Sequence, residues 1–249
     1  MIRSQFAGHL LIATAAVFWF GFAAQEFPTH QELQEALRAI VAEDNGGFGF
    51  DMWATVVDRD GEVRLVAFSG DDRGDQFPHS RVISAQKAST ANGLSLPGLA
   101  LSTANLYSAV QPGGSLYGLQ FAAPVATDVA YAGPADAFGT GDDPMVGQRI
   151  GGINVFGGGV ALYNQDGAVI GAMGVSGDSS CADHIIAWKR RHHFRLDHIP
   201  GGVSPTGDDN IVHDIVDGAS EEGWGHPECA PEATPIAAEL PESHPVSSD

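Results

Sequence analysis

The stretch that decides the fold is Val160-Ala161-Leu162-Tyr163, then Asn164-Gln165-Asp166-Gly167, then Ala168-Val169-Ile170-Gly171-Ala172-Met173-Gly174-Val175. Two apolar runs flank a polar turn ending in Asp-Gly, which reads as a β-hairpin whose strands are buried on both faces. A second hairpin lies upstream. Phe50 to Val57 is rich in aromatic and β-branched residues, Asp58-Arg59-Asp60-Gly61 turns the chain, and Glu62 to Phe68 alternates as the returning strand. Around the hairpins the period becomes helical. Thr29 with Glu32 makes a capping box before Leu33, Ala36, Leu37, Ile40 and Val41, so the spacing predicts a helix over 30–43, ended by Asn45-Gly46-Gly47. A second helix covers Ser80 to Ala91 and a shorter third Ser102 to Val110. Ser176-Gly177-Asp178 starts a fourth, which runs to Phe194 with Cys181, Ile185 and Trp188 on its apolar side. From Gln111 to Gly159 glycine and proline erase any period. The order of helix, hairpin, helices, hairpin, helix implies an α+β fold, an antiparallel sheet with helices beside it.

The chain has 249 residues, 12 Lys+Arg against 31 Asp+Glu, and a formal charge of -19. That balance excludes a phosphate-binding surface, because affinity for nucleic acid comes largely from Lys and Arg displacing counterions; no nucleic acid or anionic lipid is expected as partner. Only Lys87 and Lys189 are lysines, and nothing after Arg195 is Lys or Arg. Residues 205–249 read as a solvated, acidic, Pro-rich tail on a domain spanning 25–204.

Residues Leu10 to Ala24 form an uncharged apolar run preceded by Arg3 and closed by small residues. The run is shorter than the ~20 residues a membrane-spanning helix needs, so 1–24 is expected to be a signal peptide. The mature chain is then soluble after cleavage and periplasmic or extracellular. In such a compartment Cys181 and Cys229 are expected to pair and tether the tail to the domain; the competing reading is a nucleophilic or metal-binding cysteine.

Several ordered motifs resemble the GlcG/HbpS family: Val56-Val57-Asp58-Arg59-Asp60-Gly61, Ala85-Gln86-Lys87-Ala88-Ser89-Thr90-Ala91, Gln111-Pro112-Gly113-Gly114-Ser115-Leu116-Tyr117-Gly118, Gly158-Gly159-Val160, and Gly171-Ala172-Met173-Gly174-Val175-Ser176-Gly177. The resemblance covers about residues 50 to 202, and the Cys181 and Cys229 segments look like features of a longer secreted subgroup. It implies a profilin-like fold related to the C-terminal domain of PduO-type proteins, a homo-oligomer, and haem or another tetrapyrrole as ligand. The function so implied is a secreted haem-binding protein that sequesters or senses haem. The alternative is an accessory or interaction subunit for an oxidoreductase or a small-metabolite pathway.

Ten histidines supply candidate iron ligands. There is no CxxCH for covalent attachment. His79, beside the loop Gly70 to Gln76, and His184, early in the Cys181 helix, are the two cofactor-binding candidates, with the pocket expected near the glycine-rich stretch. His192 and His193 point about 100° apart on a helix; with Lys189, Arg190 and Arg191 they read as a solvated helix end complementing the macrodipole. Gly174-Val175-Ser176-Gly177 lacks the spacing of a nucleophile elbow, and Asp58-Arg59-Asp60-Gly61 has Ser69 where a calcium loop needs Glu. No catalytic residues are therefore assigned, and binding is expected rather than catalysis.

Overall fold

In the computed structural model, residues 27–247 are described; the expected signal peptide lies outside them. Helix α1 (His30–Val41) opens with the capping box, the Thr29 hydroxyl accepting from Glu32 N while the Glu32 carboxylate accepts from Thr29 N. Strands β1 (Trp53–Asp58) and β2 (Val63–Phe68) form the first hairpin, turning at Gly61 with φ +77°. Helix α2 (Ser80–Leu94) follows, and single turns α3 (Leu119–Ala122) and α4 (Thr127–Ala130) interrupt the glycine- and proline-rich stretch. Strands β3 (Gly159–Tyr163) and β4 (Val169–Ser176) are the second hairpin, and α5 (Ser180–His193) runs from it. The tail carries the two-residue strands β5 (Ile215–Val216) and β6 (Ala219–Ser220), then helix α6 (Ala233–Ser243).

Two predicted helix boundaries move for local reasons. Residues 104–110 form two 3-10 turns instead of one helix. Here the Asn105 carboxamide oxygen accepts from both Ser102 N and the Ser102 hydroxyl, a local bond that competes with helical pairing. Helix α5 starts at its Ser179 cap, not at Ser176. Asp178 is held elsewhere, its carboxylate accepting from Phe48 N and Phe50 N.

The sheet order is β2-β1-β4-β3, every neighbouring pair antiparallel. Its two faces are covered differently. Ala54, Val56, Val160, Leu162, Met173 and Val175 point toward Leu33, Leu37 and Ile40 of α1 and Ile186 and Ala187 of α5, forming the larger core cluster. The opposite face is floored by small residues, with Gly174 opposite both Thr55 and Gly159, and Ala172 opposite Ala161. Helix α2 lies on that floor with backbone nearly touching backbone. A Cβ on Gly174 would meet Ala88 N at 2.6 Å, one on Gly159 would meet Lys87 O at 2.6 Å, and Thr55 Oγ1 and Ser84 Oγ are hydrogen-bonded at 2.7 Å.

The fold is the expected α+β sandwich, but the reading of residues 189–193 as a solvated helix end is corrected. Lys189, Arg190 and Arg191 are buried, and His193 is exposed. Arg191 makes a bidentate pair with Asp209 at 2.7 and 2.6 Å, and Arg190 donates to Leu33 O. The expectation of a solvated tail is corrected for part of its length only, since its six glutamates are exposed. Asp208, Asp209 and Asn210 are buried, and Ala233, Ala237 and Leu240 of α6 pack on Cys181, Ile185 and Trp188 of α5. Arg191 and Asp209 neutralise each other across the contact, a pairing that a tally of acidic and basic residues along the sequence does not register. Cys181 and Cys229 are joined as a disulfide.

Candidate functional site

The candidate site lies at the start of α2. His79 occupies the N-cap position, but its side chain makes no capping bond, so the imidazole lines a cavity of about 430 Å³ with Trp53, Arg73, Arg81, Tyr131 and Phe138. That volume is within the ~300–1,000 Å³ usual for small-molecule sites. The Trp53, Arg81 and Phe138 walls are fixed by identifiable contacts. The Trp53 indole donates to Phe77 O at 3.1 Å. Arg81 pairs with Asp143 through Nε and Nη2, donates to Ala130 O, and stacks its guanidinium 3.7 Å from the Phe138 ring centroid. Asp143 in turn accepts from Gly139 N and Met145 N, so the buried ion pair clamps residues 130–145 over α2. Arg73 is held at the rim by a loop that caps itself, Asp75 accepting from Asp71 N and Asp72 N and Asp72 accepting from Gly74 N. With Arg81 committed to Asp143, Arg73 is the cation this cavity offers a ligand; Asp72 also lines it.

The expected pocket location is partly corrected. Tyr131, Ala135 and Phe138 line the cavity, and the Gly157-Gly158-Gly159 run does not. Those glycines permit close approach instead, Gly157 against Ser180 and Gly159 against Lys87 and Thr103. A wider groove of about 710 Å³ runs between α1 and the end of α5, but Glu32 and Glu35 line it, which suits an anionic ring poorly.

His184 is placed away from this cavity. It is fully buried on α5, its Nε2 facing Asn210 Oδ1 at 3.2 Å and Ile211 N at 3.1 Å. Burial pushes its pKa down to about 4, with Asp209 offsetting only part of the effect. It joins the domain to the tail and does not line the aromatic cavity with His79. Nearby, Lys87 reaches across the end of β4 to Asp183 at 2.5 Å and Val175 O at 2.9 Å, all out of solvent.

A second buried group escaped the sequence reading. His226 Nε2 lies 2.7 Å from Ser180 Oγ and its Nδ1 lies 2.7 Å from Pro227 O. A carbonyl only accepts, so the proton is on Nδ1 and Nε2 accepts from the serine hydroxyl. Burial holds this ring at about 4 as well. In sequence His226 stood out as part of the Cys229 segment and as one histidine among ten, with no role assigned; its partner Ser180 is 46 residues away and no spacing rule links them.

A protein-family model described as "Haem degrading protein HbpS-like" matches residues 29–190. Among solved structures, Klebsiella pneumoniae protein ORFY is 28% identical, covering 69% of this chain and 94% of its own, with a TM-score of 0.45. A PduOC:haem complex is 25% identical over 63% of this chain and 85% of its own, with a TM-score of 0.43. A double mutant of Streptomyces reticuli HbpS is 20% identical over 73% and 94%, with a TM-score of 0.40. No curated protein matches.

Proposed function

The chain belongs to the HbpS-like family, and from that premise we propose that it binds haem in the cavity beside His79. One observation carries the reading: a single cavity combines aromatic walls from Trp53, Tyr131 and Phe138 with an imidazole and a rim guanidinium. A tetrapyrrole needs flat apolar surfaces, an axial donor for its iron and cations for its propionates. His79 supplies the nitrogen donor, Arg73 the propionate partner, and Phe138, braced by Arg81, a wall for the ring. The iron, when bound, supplies ligand-binding and redox chemistry; the chain's own residues orient the ring and keep water from one face. The apolar run Leu10 to Ala24 and the Cys181–Cys229 bond support the further reading that the protein is exported and sequesters or senses haem outside the cytoplasm.

Titration of the purified protein with haemin tests this. A saturable one-to-one shift of the Soret band is expected, weakened by His79→Ala and Arg73→Gln and left intact by His184→Gln. A shift no larger than an unrelated acidic protein gives would overturn it. A band that forms and then bleaches would mean the ring is broken down after binding, the activity in the family's description.

A further inference from the structure

Outside the aromatic cavity, the densest cluster of metal-ligating atoms joins the tail to the N-terminus of α5. The sulphurs of Cys181 and Cys229 and a ring nitrogen of His226 all lie within 4.8 Å of one another. While the disulfide is closed these sulphurs hold no ion. We propose that two-electron reduction of Cys181–Cys229 converts this cluster into a Cys2His site for a thiophilic ion of the Zn2+ type.

Four features support the conversion. The lone pair of His226 is already on Nε2, because Nδ1–H is committed to Pro227 O, and a hydrogen bond from the second ring nitrogen to a carbonyl is the usual way a ligating histidine is oriented. Ser180 Oγ occupies that lone pair at 2.7 Å and can give it up, since it keeps the bond it accepts from Gly157 N. Cys229 is exposed, which gives a reductant and an ion a way in, while Cys181 is buried and anchored on α5. Finally, the two halves of the site do not depend on the S–S bond for their proximity. Ala233, Ala237 and Leu240 dock on Ile185 and Trp188, and Ser108 of the domain donates through its N–H and its hydroxyl to Gly225 O, next to His226. Three protein ligands with a fourth position left to water is the set an open zinc site uses.

The chemistry balances as follows. A dithiol reductant passes two electrons and two protons to the S–S bond and is itself oxidised to a disulfide, leaving two thiols. Binding of Zn2+ then releases the two thiol protons to solvent, forms two Zn–S bonds of about 2.3 Å and one Zn–N bond, and breaks the Ser180–His226 hydrogen bond. Two thiolates cancel the charge of the ion, so the partly buried centre is neutral.

Co2+ titration of the full protein, oxidised and phosphine-reduced, reads the site directly. The oxidised protein is expected to show no change. The reduced protein is expected to develop sulphur-to-cobalt charge-transfer and tetrahedral visible bands that saturate at one equivalent and are bleached by Zn2+. His226→Ala should weaken binding about tenfold or more, a loss of the size seen for perturbed metal shells. Ser180→Ala, which frees Nε2 without touching a ligand, should tighten it. Absence of charge-transfer bands in the reduced protein overturns the proposal. So does an unchanged titration of His226→Ala, which is also what an unfolded tail binding cobalt through its cysteines alone would give.

Discussion

Lys87 and Arg190 are both long cations without solvent contact, yet only Lys87 faces a carboxylate. Arg190 donates to Leu33 O and sits 5.6 Å from the Phe194 ring centroid, while its Nε and Nη1 have no partner among the described residues. Burial accordingly pushes its pKa down to about 9. At the other site burial raises Asp183 to about 6 despite the ammonium beside it. Removing one member of a buried pair strands the other, at a cost of about 3–5 kcal/mol, whereas replacing an uncompensated buried charge by an apolar chain of similar length removes a penalty. Lys87→Met should therefore lower the urea midpoint sharply, and Arg190→Met should hold or raise it. Equal losses in both variants would show that Arg190 has a counter-charge as effective as that of Lys87. Neither burial was legible in the sequence. Charged residues are mostly exposed, and Lys189-Arg190-Arg191 at the end of a helix matches the pattern of a solvated terminus so well that only the Glu43, Leu33 and Asp209 contacts, 146, 157 and 18 residues away, reveal otherwise.

At the scale of elements, the close seat of α2 on the sheet makes an opposite pair of glycine predictions. A methyl group at Gly174 would run into the backbone of Ser84 and Ala88, with no flexible side chain to give way. Gly174→Ala should cost at least the ~1–3 kcal/mol usual for overpacking. Gly93, inside α2, has nothing within 4 Å of its missing Cβ, so Gly93→Ala should gain about 0.5–1 kcal/mol from helix propensity alone. Chemical denaturation of the two variants checks both signs; a tolerated Gly174→Ala would mean that α2 rides higher on the sheet. The capping box, both hairpins and α2 were legible because each is announced by residues within a dozen positions of each other. Residues 111–159 were not, since their course is set by distant partners: Arg81 with Asp143, and Gly139 packed between Phe68 and Trp53. Three of the eleven residues lining the aromatic cavity, Tyr131, Ala135 and Phe138, come from that stretch, so His79 could be named from sequence as a candidate while Tyr131 and Phe138 could not.

For the molecule as a whole, the decisive seam is the one between domain and tail, and both of its buried histidines are neutral. His184 faces Asn210 and Ile211, and His226 accepts from Ser180, so each joins residues on opposite sides of the seam. Burial lowers both from the ordinary 6.5 to about 4. A depressed folded-state pKa contributes stability that is fully present above 6.5 and is lost as pH falls from 6.5 toward 4, because the unfolded or undocked segment takes up protons that the docked one refuses. A shift of that size is worth about 3 kcal/mol per histidine, so the two together are comparable with or larger than the ~4 kcal/mol that the chain-entropy model assigns to a disulfide closing a loop of 48 residues. Acidification should therefore undock the tail while the disulfide keeps it attached. The melting temperature should fall steeply between pH 6.5 and 4, and protease cleavage within 205–228 should rise over the same range, earlier in the reduced protein than in the oxidised one. His184→Gln, which keeps a neutral hydrogen-bonding side chain, should make that profile shallower across the whole range from pH 6.5 to 4. A melting temperature that stays level down to pH 4 in the native chain would mean that protonated His184 and His226 are accommodated at the seam, with Asp209 carrying the charge for His184.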